Sequence, residues 1–213
     1  MAVITISRQS GSEGNTIALM LSERLGYQIF DKTLMAEVAK SRGWDPNQFE
    51  DITDDKHLTR SNLEKILSSF RPPLGSLSES PQYHFEDYER YTGEMVQKIL
   101  NAAYERGNVI IVGRGGQVAL AQRPNVIHLR VVASEEKRVR TWRMRDKLTL
   151  EEAQKRVKER DKAHADFVRS YFGANINDCS LYDLVINTDK ITPADATETV
   201  IVLLRLMKLV PSA

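Results

Sequence analysis

Gly11, Ser12, Gly14, Asn15 and Thr16 stand between a β-branched run, Val3–Ser7, and a run with Ile17, Leu21 and Leu25 at helical spacing. That order reads as strand, turn and helix. A glycine-containing turn opening a helix aims unpaired peptide N–H groups and the positive end of the helix dipole at one point, which suits a phosphate. The backbone from Gly11 through Ser12, Glu13, Gly14 and Asn15 to Thr16 is therefore expected to cradle an anion. The loop carries no lysine, and Arg8 at the strand exit is the nearest cation that could stand in for one.

Chemistry-bearing residues recur further along the chain. Asp31 follows a short apolar run and can cap the next helix or bind a substrate hydroxyl or amine; the two roles are compatible. Arg114, within Gly113-Arg-Gly-Gly116, follows the apolar run Val109–Val112. It is thus expected at the carboxyl edge of a central strand, where open α/β sheets bind ligands, or in a salt bridge tying that loop to a carboxylate. Lys137, Arg138, Arg140, Arg143 and Arg145 form a basic run that matches the charge of nucleotide phosphates, although Glu151, Glu152 and Glu159 could pair several of them. Arg160, Asp161, His164, Asp166 and Arg169 are spaced so that several of them share a sector of one helix, and the cluster can hold an anion or a base edge.

The elements that must position these groups alternate. Strands are expected near residues 3, 28, 109, 127 and 183, each followed by a helix, which implies a doubly wound parallel sheet. Helices are predicted over Lys32–Arg42, Glu86–Arg106 and Gln117–Gln122, with a helix start at Ser134. A long helix should open at the capping box Thr149-Leu-Glu-Glu152 and end at Gly173. Thr192-Pro-Ala-Asp195 opens the last one, to about Leu209. Between Trp44 and Phe85, polar residues and proline accumulate. Helical spacing survives in Leu58, Leu63, Ile66, Leu67 and Phe70, and Arg71–Pro81 reads as a loop. The organisation expected is a core of residues 1–43 and 107–213, with a lid region near 134–148, and a helical insertion of residues 44–106.

Composition narrows the class. In 213 residues, 28% charged and 41% hydrophobic usage is ordinary for a globular chain. Thirty basic against 29 acidic side chains leave a net charge of +1, which gives no bias toward nucleic acid. The single Cys179 excludes an intramolecular disulfide, and no Cys/His cluster suggests a metal centre. No apolar run reaches the ~20 residues that span a bilayer, and no basic leader precedes the first strand. A cytoplasmic protein without membrane association is expected, with a homodimer left open.

The segments Ile4-Thr-Ile-Ser-Arg-Gln-Ser-Gly-Ser-Glu-Gly14, Phe30-Asp31-Lys32, Ile111-Val-Gly-Arg-Gly-Gly116, Ala133-Ser-Glu-Glu-Lys-Arg138, Glu159-Arg-Asp161 and Tyr182-Asp-Leu-Val-Ile-Asn187 occur in one order along nearly the whole chain. Together they resemble the bacterial cytidylate-kinase-like family within the nucleoside-monophosphate kinases. The resemblance implies a three-layer P-loop NTPase fold: a five-stranded parallel sheet with helices on both faces and an acceptor-binding helical insertion after the second strand. It implies ATP with Mg²⁺. Gly11, Ser12, Glu13, Gly14, Asn15 and Thr16 would line the donor phosphates, and Thr16 would reach the metal. Asp31, Arg114, Arg160 and Asp161 would face the acceptor nucleotide, while Arg138 and Arg143 would bring catalytic charge from the lid, beside Arg8.

Two departures bear on activity. Aligned without a gap, Gly14 takes the lysine position of a Walker A loop and Asn15 the hydroxyl position; a shift by one puts Asn15 and Thr16 there. Neither register supplies a lysine. Val112-Gly-Arg-Gly115 also lacks the acid found around the Gly-Arg-Asp of a cytidylate kinase. ATP-dependent phosphoryl transfer to a CMP- or dCMP-like acceptor is the first reading. The alternatives are a nucleotide- or phosphate-binding protein with weak or no catalysis, acting as a sensor or interaction partner, and a kinase for another small substrate.

Overall fold

The computed structural model describes residues 1–44 and 85–211. The expected helical spacing of Leu58–Phe70 and the loop Arg71–Pro81 lie outside the described residues, as does most of the insertion expected over 44–106. Five parallel strands form one sheet in the order β2-β3-β1-β4-β5. They are β1 (Val3–Arg8), β2 (Gln28–Ile29), β3 (Val109–Val112), β4 (Val126–Val132) and β5 (Leu184–Asn187). The helices are α1 (Gly14–Leu25), α2 (Lys32–Ser41), α3 (Phe85–Arg106), α4 (Gly116–Ala119), α5 (Glu135–Asp146), α6 (Leu150–Phe172) and α7 (Pro193–Leu206). A 3₁₀ turn, Cys179–Leu181, precedes β5.

The alternation of β1 divides the core. Ile4 and Ile6 point to one face, where they pack with Ile17 and Leu21 of α1 and with Val200, Ile201 and Leu204 of α7. Val3 points to the other face, against Leu34 and Val38 of α2, Val96 and Ile99 of α3, and Phe167 and Val168 of α6. This is the doubly wound arrangement that continuous apolar strands require, since neither face can be left to water. Among the described residues no helix is long and apolar enough to cross a membrane.

Local chemistry sets the boundaries. Asp31 accepts the Leu34 peptide N–H at 2.9 Å and starts α2. Thr149 and Glu152 form the reciprocal capping box of α6, which ends at Gly173 in the left-handed conformation. The short helix after β3 covers Gly116–Ala119 rather than Gln117–Gln122, and α7 ends at Leu206 rather than near Leu209. In both places the chain continues through turns, which apolar spacing does not distinguish from helix.

Toward the carboxyl edge, the face of β1 and β4 under α6 becomes polar. Thr5 Oγ1 meets His128 Nδ1 at 2.7 Å, and Arg130 donates to Ser7 Oγ at 2.7 Å and to Asn177 Oδ1 at 3.2 Å. Burial is the chief cause that lowers the His128 pKa from 6.5. A depressed pKa favours the neutral ring in the folded state, so its stabilisation is complete above 6.5 and is lost as pH falls through the lower folded value. Denaturant midpoints measured between pH 7.5 and 5 should therefore decline with pH, and His128→Asn should flatten part of that decline. An unchanged slope in the variant would assign it to other groups.

Candidate functional site

The loop between β1 and α1 lies beside the ends of β3 and β4 and opens into a cleft. Arg8, Ser10, Gly14–Thr16, Arg114, Trp142, Arg145, Arg160, Asp161 and His164 are among its lining residues. Gly11 has φ +83° and Glu13 has φ +64°, and α1 starts at Gly14. The first helical ladder bond runs from Ile17 N–H to the Glu13 carbonyl. The N–H groups of Gly14, Asn15 and Thr16 thus precede the ladder and belong to the anion-attracting end of the dipole. Asn15 and Thr16 are exposed, whereas Ser12 is fully buried. The Ser12 hydroxyl donates to the Gln9 carbonyl at 2.8 Å, and its own carbonyl accepts from Thr188 Oγ1 at 3.1 Å. The Ser12 peptide N–H also donates to the Gln9 carbonyl, at 3.2 Å, so Ser12, expected among the anion-binding residues, shapes the loop from behind with its hydroxyl and both peptide groups engaged within the protein.

The Arg8 side chain crosses directly over Gly14. A Cβ on Gly14 would come within 2.6 Å of Arg8 Cβ and 3.1 Å of its Cγ. Further out, Arg8 Nε donates to Asn15 Oδ1 at 3.1 Å, and Arg8 Nη1 lies 2.6 Å from where a Cβ on Gly113 would stand. Both glycines make room for this arginine. The guanidinium consequently spans the cleft from the first turn of α1 to the β3–α4 loop.

That second loop runs through Gly113, Arg114 and Gly115, all with positive φ. Arg114 Nη1 donates to the Phe30 carbonyl at 3.1 Å, and its guanidinium lies 5.7 Å from the Phe30 ring centroid. It is thereby held next to Asp31, at the exit of β2. Asp31 itself caps α2 and, unlike Arg114, is not among the cleft-lining residues.

On the opposite wall, Trp142 of α5 is buried to 4% exposure and donates its Nε1–H to Ser10 Oγ at 2.9 Å. Arg145, Arg160 and Arg156 lie 3.8, 4.8 and 5.1 Å from its ring centroid. An indole face attracts guanidinium cations, which fixes two of them, Arg145 and Arg160, on the cleft wall. Arg145 also donates to Asp146, which lowers that carboxyl's pKa.

Of the arginines expected at a lid, Arg138 is buried and donates to Asp161 Oδ2 at 2.6 Å and to the Ala133 carbonyl at 3.1 Å. Arg143 is exposed and is not among the cleft-lining residues. Asp161 accepts the Ser10 peptide N–H at 2.7 Å. Glu13 pairs with Lys137 Nζ at 2.6 Å. Trp142 was not singled out by the sequence reading, and Arg145 entered only as part of the basic run. The signal available was helical spacing: 138, 142 and 145 fall on one face of α5, and 143 does not. No group of three or more His, Cys, Asp or Glu side chains arranged for a metal occurs among the described residues.

The model of the cytidylate kinase-like family matches residues 3–190. The cytidylate kinase of Methanopyrus kandleri is 25% identical over 197 residues, covering 88% of this chain and 85% of that protein. That of Natronomonas pharaonis is 28% identical over 194 residues, covering 90% and 83%. Among solved structures, an uncharacterised protein from Eubacterium ventriosum superposes with a TM-score of 0.65 at 20% identity, covering 96% of this chain and 99% of that one. Shikimate kinase from Acinetobacter baumannii, solved with shikimate, gives 0.50 at 15% identity, covering 99% and 96%. The fold is thus that of the P-loop kinases.

Gly11 tests the packing of the loop. A Cβ there would lie 2.6 Å from the Arg138 carbonyl oxygen and 3.0 Å from Trp142 Cδ1, at a φ that L residues rarely adopt. Gly11→Ala is expected to lower unfolding free energy by about 1–2 kcal/mol from the backbone alone, plus the cost of displacing α5. Urea denaturation checks it, and a variant as stable as the parent would show that the loop is not pressed against α5.

Proposed function

Because the chain belongs to the cytidylate kinase-like family, we propose that it transfers the γ-phosphoryl group of ATP to a nucleoside monophosphate of the CMP or dCMP kind. The observation that carries the proposal is Arg8 lying over Gly14 with its guanidinium in the cleft. Phosphoryl transfer depends mainly on positioning and on offsetting charge over the phosphates. In this reading the amides of Gly11 and Glu13–Thr16 hold the donor phosphates, Arg8 supplies the charge that a loop lysine would bring, and Arg145 and Arg160 neutralise the transferring group from the Trp142 wall. An acceptor phosphate oxygen forms the new bond to the γ-phosphorus as the bond to the β,γ-bridging oxygen breaks, and ADP leaves.

Arg114 and Asp31 are proposed to border the acceptor, with the insertion expected over 44–106 completing its site. Mg²⁺, when bound with ATP, offsets phosphate charge and orients the phosphate oxygens. The chain fits such an ion sparingly: the exposed Thr16 hydroxyl lines the cleft, while Asp161 and Glu13 are engaged by Arg138 and Lys137. Because Mg²⁺ keeps several waters and takes few protein ligands, a small donor set is compatible with it.

The absence of a lysine from Gly11–Thr16 and of an acid from Val112-Gly-Arg-Gly115 favours a second reading, in which the backbone cradle binds nucleotide without transferring phosphate.

Coupled-enzyme measurement of ADP formation with CMP, dCMP and UMP as acceptors separates the readings. Turnover is expected for the parent, with a loss of ~10³-fold or more in Arg8→Ala. Equal rates in parent and variant would remove Arg8 from the mechanism, and nucleotide binding with no ADP from any acceptor would establish the second reading. Gly14→Lys alone should not raise activity, because its side chain enters the volume that Arg8 fills; Arg8→Gly combined with Gly14→Lys should recover part of the loss.

A further inference from the structure

Asp161 is the residue for which sequence resemblance and geometry assign different partners. The resemblance sends it to the acceptor nucleotide, yet both of its carboxylate oxygens are engaged inside the protein. Oδ1 accepts the Ser10 peptide N–H at 2.7 Å, and Oδ2 accepts from Arg138 Nη1 at 2.6 Å. The same Arg138 nitrogen reaches the Ser10 carbonyl at 3.4 Å, and Arg138 Nε is anchored on the Ala133 carbonyl at 3.1 Å. Trp142 Nε1 holds the Ser10 hydroxyl at 2.9 Å. Residue 10 is therefore gripped at its N–H, its carbonyl and its side chain, from α6 and α5 together.

The physical need for such a grip is specific to this loop. A peptide N–H bonded to an ionised carboxylate is held more firmly than one bonded to a neutral acceptor. Gly11 follows Ser10 at φ +83° and is in contact with α5, so fixing the Ser10 peptide fixes the direction from which the loop enters its anion-binding turn. Preorganised amides cost no rearrangement when an anion arrives.

We infer that Asp161 is a positioning residue of the phosphate loop, which sets the Ser10 peptide through a carboxylate shared with Arg138, and that it does not recognise the acceptor. This inference rests on the reading of the β1–α1 loop as the donor-phosphate site. It predicts that loss of the carboxylate weakens donor-phosphate binding and leaves acceptor use alone.

The test uses the full chain and two readouts. Hydrogen exchange of the Ser10 amide reports the grip directly, and calorimetric ADP affinity together with the KM for CMP reports its consequence. In Asp161→Ala, Ser10 exchange should accelerate about tenfold or more and ADP should bind about tenfold more weakly, with the KM for CMP within about twofold of the parent. Should the stranded Arg138 guanidinium prevent folding, Arg138→Met combined with Asp161→Ala removes both charges and carries the same expectations. Unchanged Ser10 exchange, or a raised KM for CMP with unchanged ADP affinity, overturns the inference. A parent chain that binds no nucleotide would sink the kinase reading separately, while the exchange measurement would still decide the role of Asp161.

Discussion

The cleft depends on one steric exclusion: no side chain fits at Gly14 while Arg8 occupies the space above it. A side chain opening α1 would need Arg8 to withdraw, so the cation that lies over the first turn of α1 comes from the strand exit instead of the helix. Arg8 in turn depends on Gly113, whose missing Cβ leaves room for Nη1, and on Asn15, whose side-chain oxygen receives Nε. The tip of β1, the first turn of α1 and the loop after β3 are thus adjusted to a single guanidinium.

The sheet order makes this adjustment possible. With β1 between β3 and β4, its exit lies beside both neighbouring loops, and the chain diverges from it in opposite directions. Ligand crevices in open α/β sheets form at such points. Beneath the loop, buried Ser7 and Arg130 and half-buried Tyr182 form a polar layer, in which desolvation raises the Tyr182 pKa and lowers that of Arg130. Above it, Trp142 gathers Arg145 and Arg160 on one aromatic face. Charge therefore surrounds the cradle on arginines that are each held by a ring, a carbonyl, an amide or a carboxylate. Long side chains fixed in this way have less rotamer entropy to lose when an anion arrives.

Much of the architecture was legible in sequence because its signals are local. Val109–Val112 and Val126–Val132 are continuous apolar runs, and Thr149 with Glu152 marks the start of α6. The strand-loop-helix at the N-terminus, with Arg8 at the strand exit, was legible for the same reason. The contacts of Asp161 and Arg138 with Ser10 were not, since they arise where α5, α6 and the β1–α1 loop meet, across separations of 151 and 128 residues. The sector of α5 that faces inward was obscured by its composition. Its buried residues are Arg138, Val139 and Trp142, so an arginine occupies a place where apolar spacing would look for a leucine.

The central claim is that Arg8 supplies the cation for the terminal phosphates of the donor. Calorimetric titration of the parent and of Arg8→Ala with AMP, ADP and a non-hydrolysable ATP analogue tests it most directly. The account predicts that the parent binds more tightly with each added phosphate, and that Arg8→Ala loses most of this gain while its AMP affinity is unchanged. An Arg8→Ala chain that keeps the parent's gain from AMP to the triphosphate would contradict it.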